Sequence, residues 1–220
     1  MRFTHSIAFK LALLVLGLTS AILGAVILYS YLYSMDIILA HSENDAQLLA
    51  FSVSRRIEQE FRAAAKVSED LARFLEAEPL MESWRLLKLL QTTVADNQEV
   101  YGSAVAYEPY GFAADQRLFA PYFFKREDSL QYVQLGSESY DYLKRDWYHV
   151  PAQARAAVWT EPYFDEGGGN VLMVSYSVPF FELSEEGWRN KLRGVVTADI
   201  SLEWLTQLVV STKVGRGGHC

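Results

Sequence analysis

The sequence predicts an α+β protein in which a membrane-spanning helix and a long stalk helix precede an antiparallel sheet with flanking helices. Three observations carry this reading. Leu11–Met35 holds no charged side chain. From Asp36 to about Glu76, apolar residues recur in steps of three and four with no glycine or proline between them. After Asn97 the pattern changes to short aromatic and branched runs separated by Gly, Asp and charged turns.

The apolar run comes first. As a helix it is roughly 37 Å long, more than the ~30 Å hydrocarbon core requires. It also exceeds the apolar segment of about 7 to 15 residues in a secretory signal peptide, so an uncleaved anchor over 11–35 is expected. Arg2 and Lys10 precede the run, while Asp36, Glu43 and Asp45 follow it. The charge bias places residues 1–10 in the cytoplasm and everything after Met35 outside the cytoplasmic (inner) membrane, in the periplasm or extracellular space. Tyr31 and Tyr33 then fall at the outer interface.

The stalk, residues 36–78, carries its stripe on Leu49, Val53, Ile57, Phe61, Ala64, Val67, Leu71 and Phe74. Such a stripe suits dimerisation, and a homodimer through this helix is expected. Pro79 marks a break, and Met81, Trp84, Leu87, Leu90 and Val94 outline a shorter helix. Strands are expected over Val100–Tyr107, Leu118–Phe124 and Leu130–Leu135, followed by a short helical segment, Tyr140–Ala154, interrupted around Pro151. Two more strands, Val158–Phe164 and Val171–Pro179, flank Gly167-Gly168-Gly169-Asn170, a hairpin turn signal. A last strand, Gly194–Ile200, leads into a helix capped by Ser201.

Composition excludes several functions. The chain has 220 residues, a net charge of -7 and a pI near 5.2. No basic stripe is available for nucleic acid. The single cysteine, Cys220, rules out an intrachain disulfide, and His5, His41, His149 and His219 lack metal-ligand spacing. No metal and no cofactor are expected. The triple glycine is no phosphate loop, because no Gly-Lys-Ser follows it. Glu161 and Asp165, on one face of a single strand, would stand about 13 Å apart, too far for a glycosidase pair. No catalytic residue is expected.

One constellation remains. Tyr140, Arg145, Trp147, Tyr148, Tyr163 and Asp165 gather within a short stretch. Arginine meets a carboxylate as a two-pronged donor, aromatic faces and an acid suit an ammonium, and tyrosine hydroxyls add direction. The same residues also suit an amphipathic helix end, with Trp147 in the core and Arg145 paired at the surface.

From residue 36 onward the chain resembles the membrane-distal half of a double Cache (dCache) sensor, a PAS-like sheet beyond a membrane helix and stalk. More narrowly, it is similar to the amino-acid-recognising members, whose motif is a tyrosine, R-x-W-Y, Y-x-D and a distal aspartate. The matching positions here are Tyr140; Arg145, Trp147 and Tyr148; Tyr163 and Asp165; and Asp199. The resemblance implies that Arg145 and its aromatic neighbours take a ligand's carboxylate while Tyr163, Asp165 and Asp199 take its amino group. It implies a sensor module over 79–212, with 213–220 opening a truncated membrane-proximal module. Receptors of this kind signal through chemotaxis, histidine kinase, phosphatase or cyclic-dinucleotide outputs. Phe180–Lys191 departs from the pattern as an acidic loop inserted before the last strand. Two alternatives stand beside this reading: a Cache domain for simple carboxylates, and a dimeric stalk protein whose head binds a protein partner.

Overall fold

The computed structural model of the chain describes residues 7–127, 129–137, 140–184 and 186–211, and for residues 8, 36–46 and 211 the backbone alone. Arg2, His5, the side chains of Asp36, His41, Glu43 and Asp45, and the expected second module at 213–220 with His219 and Cys220 lie outside the described residues. Contacts divide the chain into two units, residues 1–52 with 213–220, and residues 53–212.

In the first unit the described backbone belongs to the helix α1, Ile7–Ala77. Phe9–Met35 has a mean hydropathy of 2.6, and none of this stretch is buried within the protein. It is long and apolar enough to cross a membrane.

In the second unit, α1 supplies one wall of the core. Ala64, Leu71, Ala72 and Leu75 are buried, with Phe61 and Val67 packed beside them. The expected stripe shifts at its end: Phe74 is 43% exposed and Leu75 takes the inward place. Both follow Leu71 at helical spacing, and the fourth residue on is the one that faces the sheet. The Arg193 guanidinium ends the helix by donating to the Leu75 and Pro79 carbonyls at 2.6 and 2.8 Å. Helix α2, Ser83–Asp96, adds Leu86, Leu90 and Val94 at intervals of four.

These helices cover one face of an antiparallel sheet of seven strands: β1 Gly102–Tyr107, β2 Ala120–Arg126, β3 Ser129–Leu135, β4 Val158–Trp159, β5 Tyr163–Phe164, β6 Leu172–Leu183 and β7 Arg189–Ser201. The order is β3-β2-β1-β7-β6-β4, with β5 also on β6. Alternation sorts the side chains by face. Val105, Tyr107, Val174, Val178, Phe180, Val196, Ala198 and Ile200 meet the helices. Ala104, Ala106, Tyr122, Phe124 and Val195 point the other way, into a second core with Tyr140, Tyr142, Trp147 and Tyr148. That second core is roofed by a 3-10 turn, Tyr142–Lys144, and the helix α3, Asp146–Ala154. A last helix, α4, spans Leu202–Ser211, and the Ser201 hydroxyl faces the Trp204 N–H at 3.5 Å.

Three expectations are corrected. Pro151 lies inside α3 and does not interrupt it; only the hydrogen bond its missing N–H would have donated is lost. The strand over Val158–Phe164 is two, because Pro162 can give the ladder no N–H. Glu161 and Asp165 therefore do not share a strand: Glu161 is exposed and Asp165 buried. The loop read into Phe180–Lys191 is largely hairpin, since β6 and β7 stay paired out to Leu183↔Arg189 with register shifts at Phe180/Phe181 and Phe181/Leu183. Solvent can hydrate the charged side chains of an extended ladder without disturbing its backbone pairing.

This extension is pinned at its base. The buried Glu76 carboxylate of α1 accepts the Phe181 N–H at 3.1 Å and pairs with Arg189 at 3.2 Å. Arg155, at the end of α3, donates to the Asn190 carbonyl at 3.0 Å, and its guanidinium lies 4.5 Å from the Phe181 ring centre.

Candidate ligand site

On the roofed face, the middle of the sheet turns polar where an apolar core would be expected. Ser175 pairs with Asp199 and Ser177 with Thr197 across β6 and β7, and all four side chains are buried. Asp199 also stands opposite Gly102 of β1.

A second carboxylate reaches the same place from the β5–β6 turn. The Asp165 Oδ1 accepts the Tyr140 hydroxyl at 2.5 Å, and Oδ2 accepts the Gly169 N–H at 2.8 Å. The triple glycine is what lets the turn fold over this acid. Gly167 has a φ of +86°, and a Cβ on Gly168 would lie 2.1 Å from the Asp165 Oδ2. Trp147 Nε1 donates to the Tyr140 oxygen at 3.2 Å, and the Tyr163 hydroxyl shares a 2.8 Å hydrogen bond with Ser175.

Two spaces result. The inner one, about 10 Å³, is lined by Ala104, Leu135, Thr197 and Tyr122 together with Tyr140, Trp147, Tyr163, Asp165 and Asp199. It has room for about one water-sized group. The outer one is a groove of about 490 Å³ between α3 and the β4–β5 segment; Arg145, Val150, Pro151 and Phe164 line it. Trp147 and Tyr163 line both spaces and form the wall between them.

The electrostatics of the two spaces are opposite. No cationic side chain lines the inner one. Burial there pushes Asp199 up to about 7, with Asp165 acting in the same direction; the hydroxyls of Ser175, Tyr122 and Thr197 pull it back. None of those hydroxyls is aligned to bond Oδ1, which is buried without a partner, as is the Tyr122 hydroxyl. Burial raises the tyrosines Tyr122, Tyr140 and Tyr163 well above their usual range, so they stay neutral donors. On the outer side, the Arg145 guanidinium lies 4.6 Å from the Tyr140 ring centre. Among the described residues it has no carboxylate partner. No group of His, Cys, Asp and Glu that could hold a metal occurs among the described residues.

Of the expected site residues, Tyr140, Trp147, Tyr163, Asp165 and Asp199 converge on the inner cavity, and Arg145 lies just outside it. Tyr140 serves both sides, its hydroxyl on Asp165 and its ring under Arg145. Tyr148 does not join them. Its hydroxyl donates to Glu108 at 2.5 Å, because consecutive residues on a helix point about 100° apart. Tyr122, Ser175 and Thr197 line or flank the cavity and are new. Their only trace in the sequence is alternation, with Thr197 two before Asp199 in a branched strand.

A sheet with helices on one face and a small polar pocket roofed by α3 on the other is the architecture of a PAS-like, Cache-type module. The chain belongs to the family of methyl-accepting chemotaxis protein-like first PDC sensor domains, whose profile matches residues 86–207. That family senses ligands rather than transforming them. The extracellular domain of soHK1S-Z6, assigned as a histidine kinase, is 27% identical with a TM-score of 0.57, over 73% of this chain and 66% of that one. The ligand-binding domain of the Pseudomonas aeruginosa PAO1 amino acid chemoreceptor PctC, solved with GABA, is 19% identical with a TM-score of 0.52, over 73% of this chain and 64% of that one. The ligand-binding domain of Mlp24, solved with asparagine, is 19% identical with a TM-score of 0.51, over 79% and 65%. The chain thus spans slightly less than two thirds of these structures. No curated protein matches it.

Proposed function

We propose that this sensor module binds an amino acid or a related small amine carrying a carboxylate, reversibly and without chemistry. One observation carries the reading: a guanidinium without a partner ion and a buried carboxyl group without a partner for Oδ1 lie on the two sides of one aromatic wall. The Arg145 guanidinium lies outside the wall and the Asp199 carboxyl group inside, both without a partner ion among the described residues. A zwitterion supplies both missing partners. In this assignment Arg145 with Trp147 takes the carboxylate, and Asp165, Asp199 and Tyr163 take the ammonium. The amino-acid and GABA complexes of the two structural neighbours support it.

Further parts of the reading are the orientation, the assembly and the output. The N-terminus lies in the cytoplasm, Phe9–Met35 anchors the chain, and α1 pairs two copies. Ligand capture shifts α1 by about 1 to 2 Å, an amplitude common at helix interfaces. Crosslinking of cysteines placed between residues 47 and 60 tests this, and ligand-independent rates would refute it.

The site itself is tested with the full chain in detergent, by thermal shift against the standard amino acids, 4-aminobutyrate and small carboxylates at millimolar concentration. Binding at about 100 times the dissociation constant stabilises by about 2.7 kcal/mol, a rise of several degrees. Arg145→Ala removes one partner of a desolvated pair, so affinity should fall at least ~30-fold. A loss under about threefold removes Arg145 from the site. A response to carboxylates alone discards the ammonium half.

A further inference from the structure

Four aromatic side chains line the inner cavity: Tyr122, Tyr140, Trp147 and Tyr163. By composition this is the cage that quaternary ammonium ions favour, where methyl groups rest on ring faces. The geometry points elsewhere. The rings turn polar edges to one another and to the acids. Tyr140 bonds Asp165, Trp147 bonds Tyr140, and Tyr163 bonds Ser175. What waits for a guest is oxygen: the unpartnered Asp199 Oδ1 and the unpartnered Tyr122 hydroxyl, beside an Asp165 carboxylate whose oxygens already accept from Tyr140 and Gly169. The Asp199 oxygen requires a donor, and the Tyr122 oxygen can accept one. A primary ammonium brings three donors, whereas a trimethylammonium brings none.

Size argues the same way. A volume of about 10 Å³ holds one water-sized group, which an –NH3+ matches and an N-methyl group exceeds. The wall cannot easily retreat to make room. Tyr122 is fully buried and stacked on Phe124 at 5.3 Å. Its hydroxyl crosses Gly102 so closely that a Cβ there would lie 2.4 Å away, and one on Gly169 would lie at 3.2 Å. The rest of the guest must therefore lie beyond Trp147 and Tyr163, in the outer groove.

We propose, building on the amine-binding reading above, that the inner half of the site admits a primary ammonium only, rejecting N-methylated and quaternary amines, and that Tyr122 sets this limit. The probes are the standard amino acids and 4-aminobutyrate, each beside its N-methyl and N,N,N-trimethyl derivative, titrated calorimetrically into the full chain in detergent. Each parent that binds should lose at least about tenfold on single methylation, the cost of a lost charge-assisted hydrogen bond, and all measurable binding on trimethylation. A parent and its trimethyl derivative binding within about threefold of one another, or a trimethyl derivative binding alone, overturns the proposal while leaving the amine reading intact. If no probe binds, methylated or not, the amine reading falls and this inference falls with it. Tyr122→Phe separates the residue from the cavity. Losing the hydroxyl opens room beside Asp199, so the preference for parent over N-methyl derivative should narrow at least about threefold at unchanged melting temperature. An unchanged preference removes Tyr122 as the gatekeeper.

Discussion

Replacing Asp199 by asparagine should make the empty protein more stable, and more so at high pH. In the unfolded chain the carboxyl titrates near 3.8, and in the fold near 7. Between those values the fold keeps a proton that the unfolded chain has lost, so wild-type stability declines as pH rises through the window. At about 1.36 kcal/mol per pH unit, the penalty is under about 2 kcal/mol at pH 5 and about 4 kcal/mol at pH 8. The substituted asparagine would not titrate. Its amide carries a cost of its own in the cavity, but that cost is the same at both pH values and cancels in the difference. The gain over wild type should therefore be about 2 to 3 kcal/mol larger at pH 8 than at pH 5, or roughly 5 to 10 °C in melting temperature. Thermal melts of the full chain without ligand, for both proteins at both pH values, provide the test. An equal effect of the substitution at pH 5 and pH 8 would refute the reasoning, because the carboxylate would then carry no buried penalty. The same variant should fail to bind any amine, which would show a site holding stability in reserve for its ligand.

Other outcomes follow from the same geometry. An ammonium needs the Asp199 anion, so wild-type affinity should climb with pH towards about 7, by as much as about tenfold per unit, and level off above; calorimetry that finds it flat from pH 5 to 8 takes Asp199 out of the ammonium site. Gly168→Ala would set a Cβ 2.1 Å from the Asp165 Oδ2, and the displaced carboxylate should cost at least about tenfold in affinity. Glu76→Ala leaves the Phe181 N–H without its acceptor, which should lower stability by about 1 to 3 kcal/mol, measurable in thermal melts. Tyr148→Phe should lower affinity less than about threefold, since its hydroxyl bonds Glu108 and not the cavity.

The site was legible where it is local. Tyr140 to Asp165 is one stretch of chain, and Tyr140, Arg145, Trp147, Tyr163 and Asp165 stand out in it as candidates before any fold is known. Register was the hidden part. Tyr122, Ser175 and Thr197 are unremarkable strand residues until pairing brings β2, β6 and β7 together around Asp199. Tyr148 was misplaced for a related reason: adjacency in sequence is divergence on a helix. The hairpin beyond Phe180 was masked by its charges, which describe its solvent exposure and not its backbone pairing. Phe74 and Leu75 competed for one inward position, and only the sheet behind them decided it.

The family match begins at residue 86, yet among the described residues buried side chains begin at Ala64, well inside α1. What reads as a handle is therefore also a keel. A soluble version of the sensor cannot be made by trimming to the matched region, which would strip Ala64, Leu71, Ala72 and Leu75 from the sheet and remove the acceptor at Glu76. The cut has to fall inside a helix, near Val53, and the new end would have backbone N–H groups with no preceding turn to bond them. A serine or aspartate grafted ahead of that end, as an artificial cap, would restore about 1 kcal/mol.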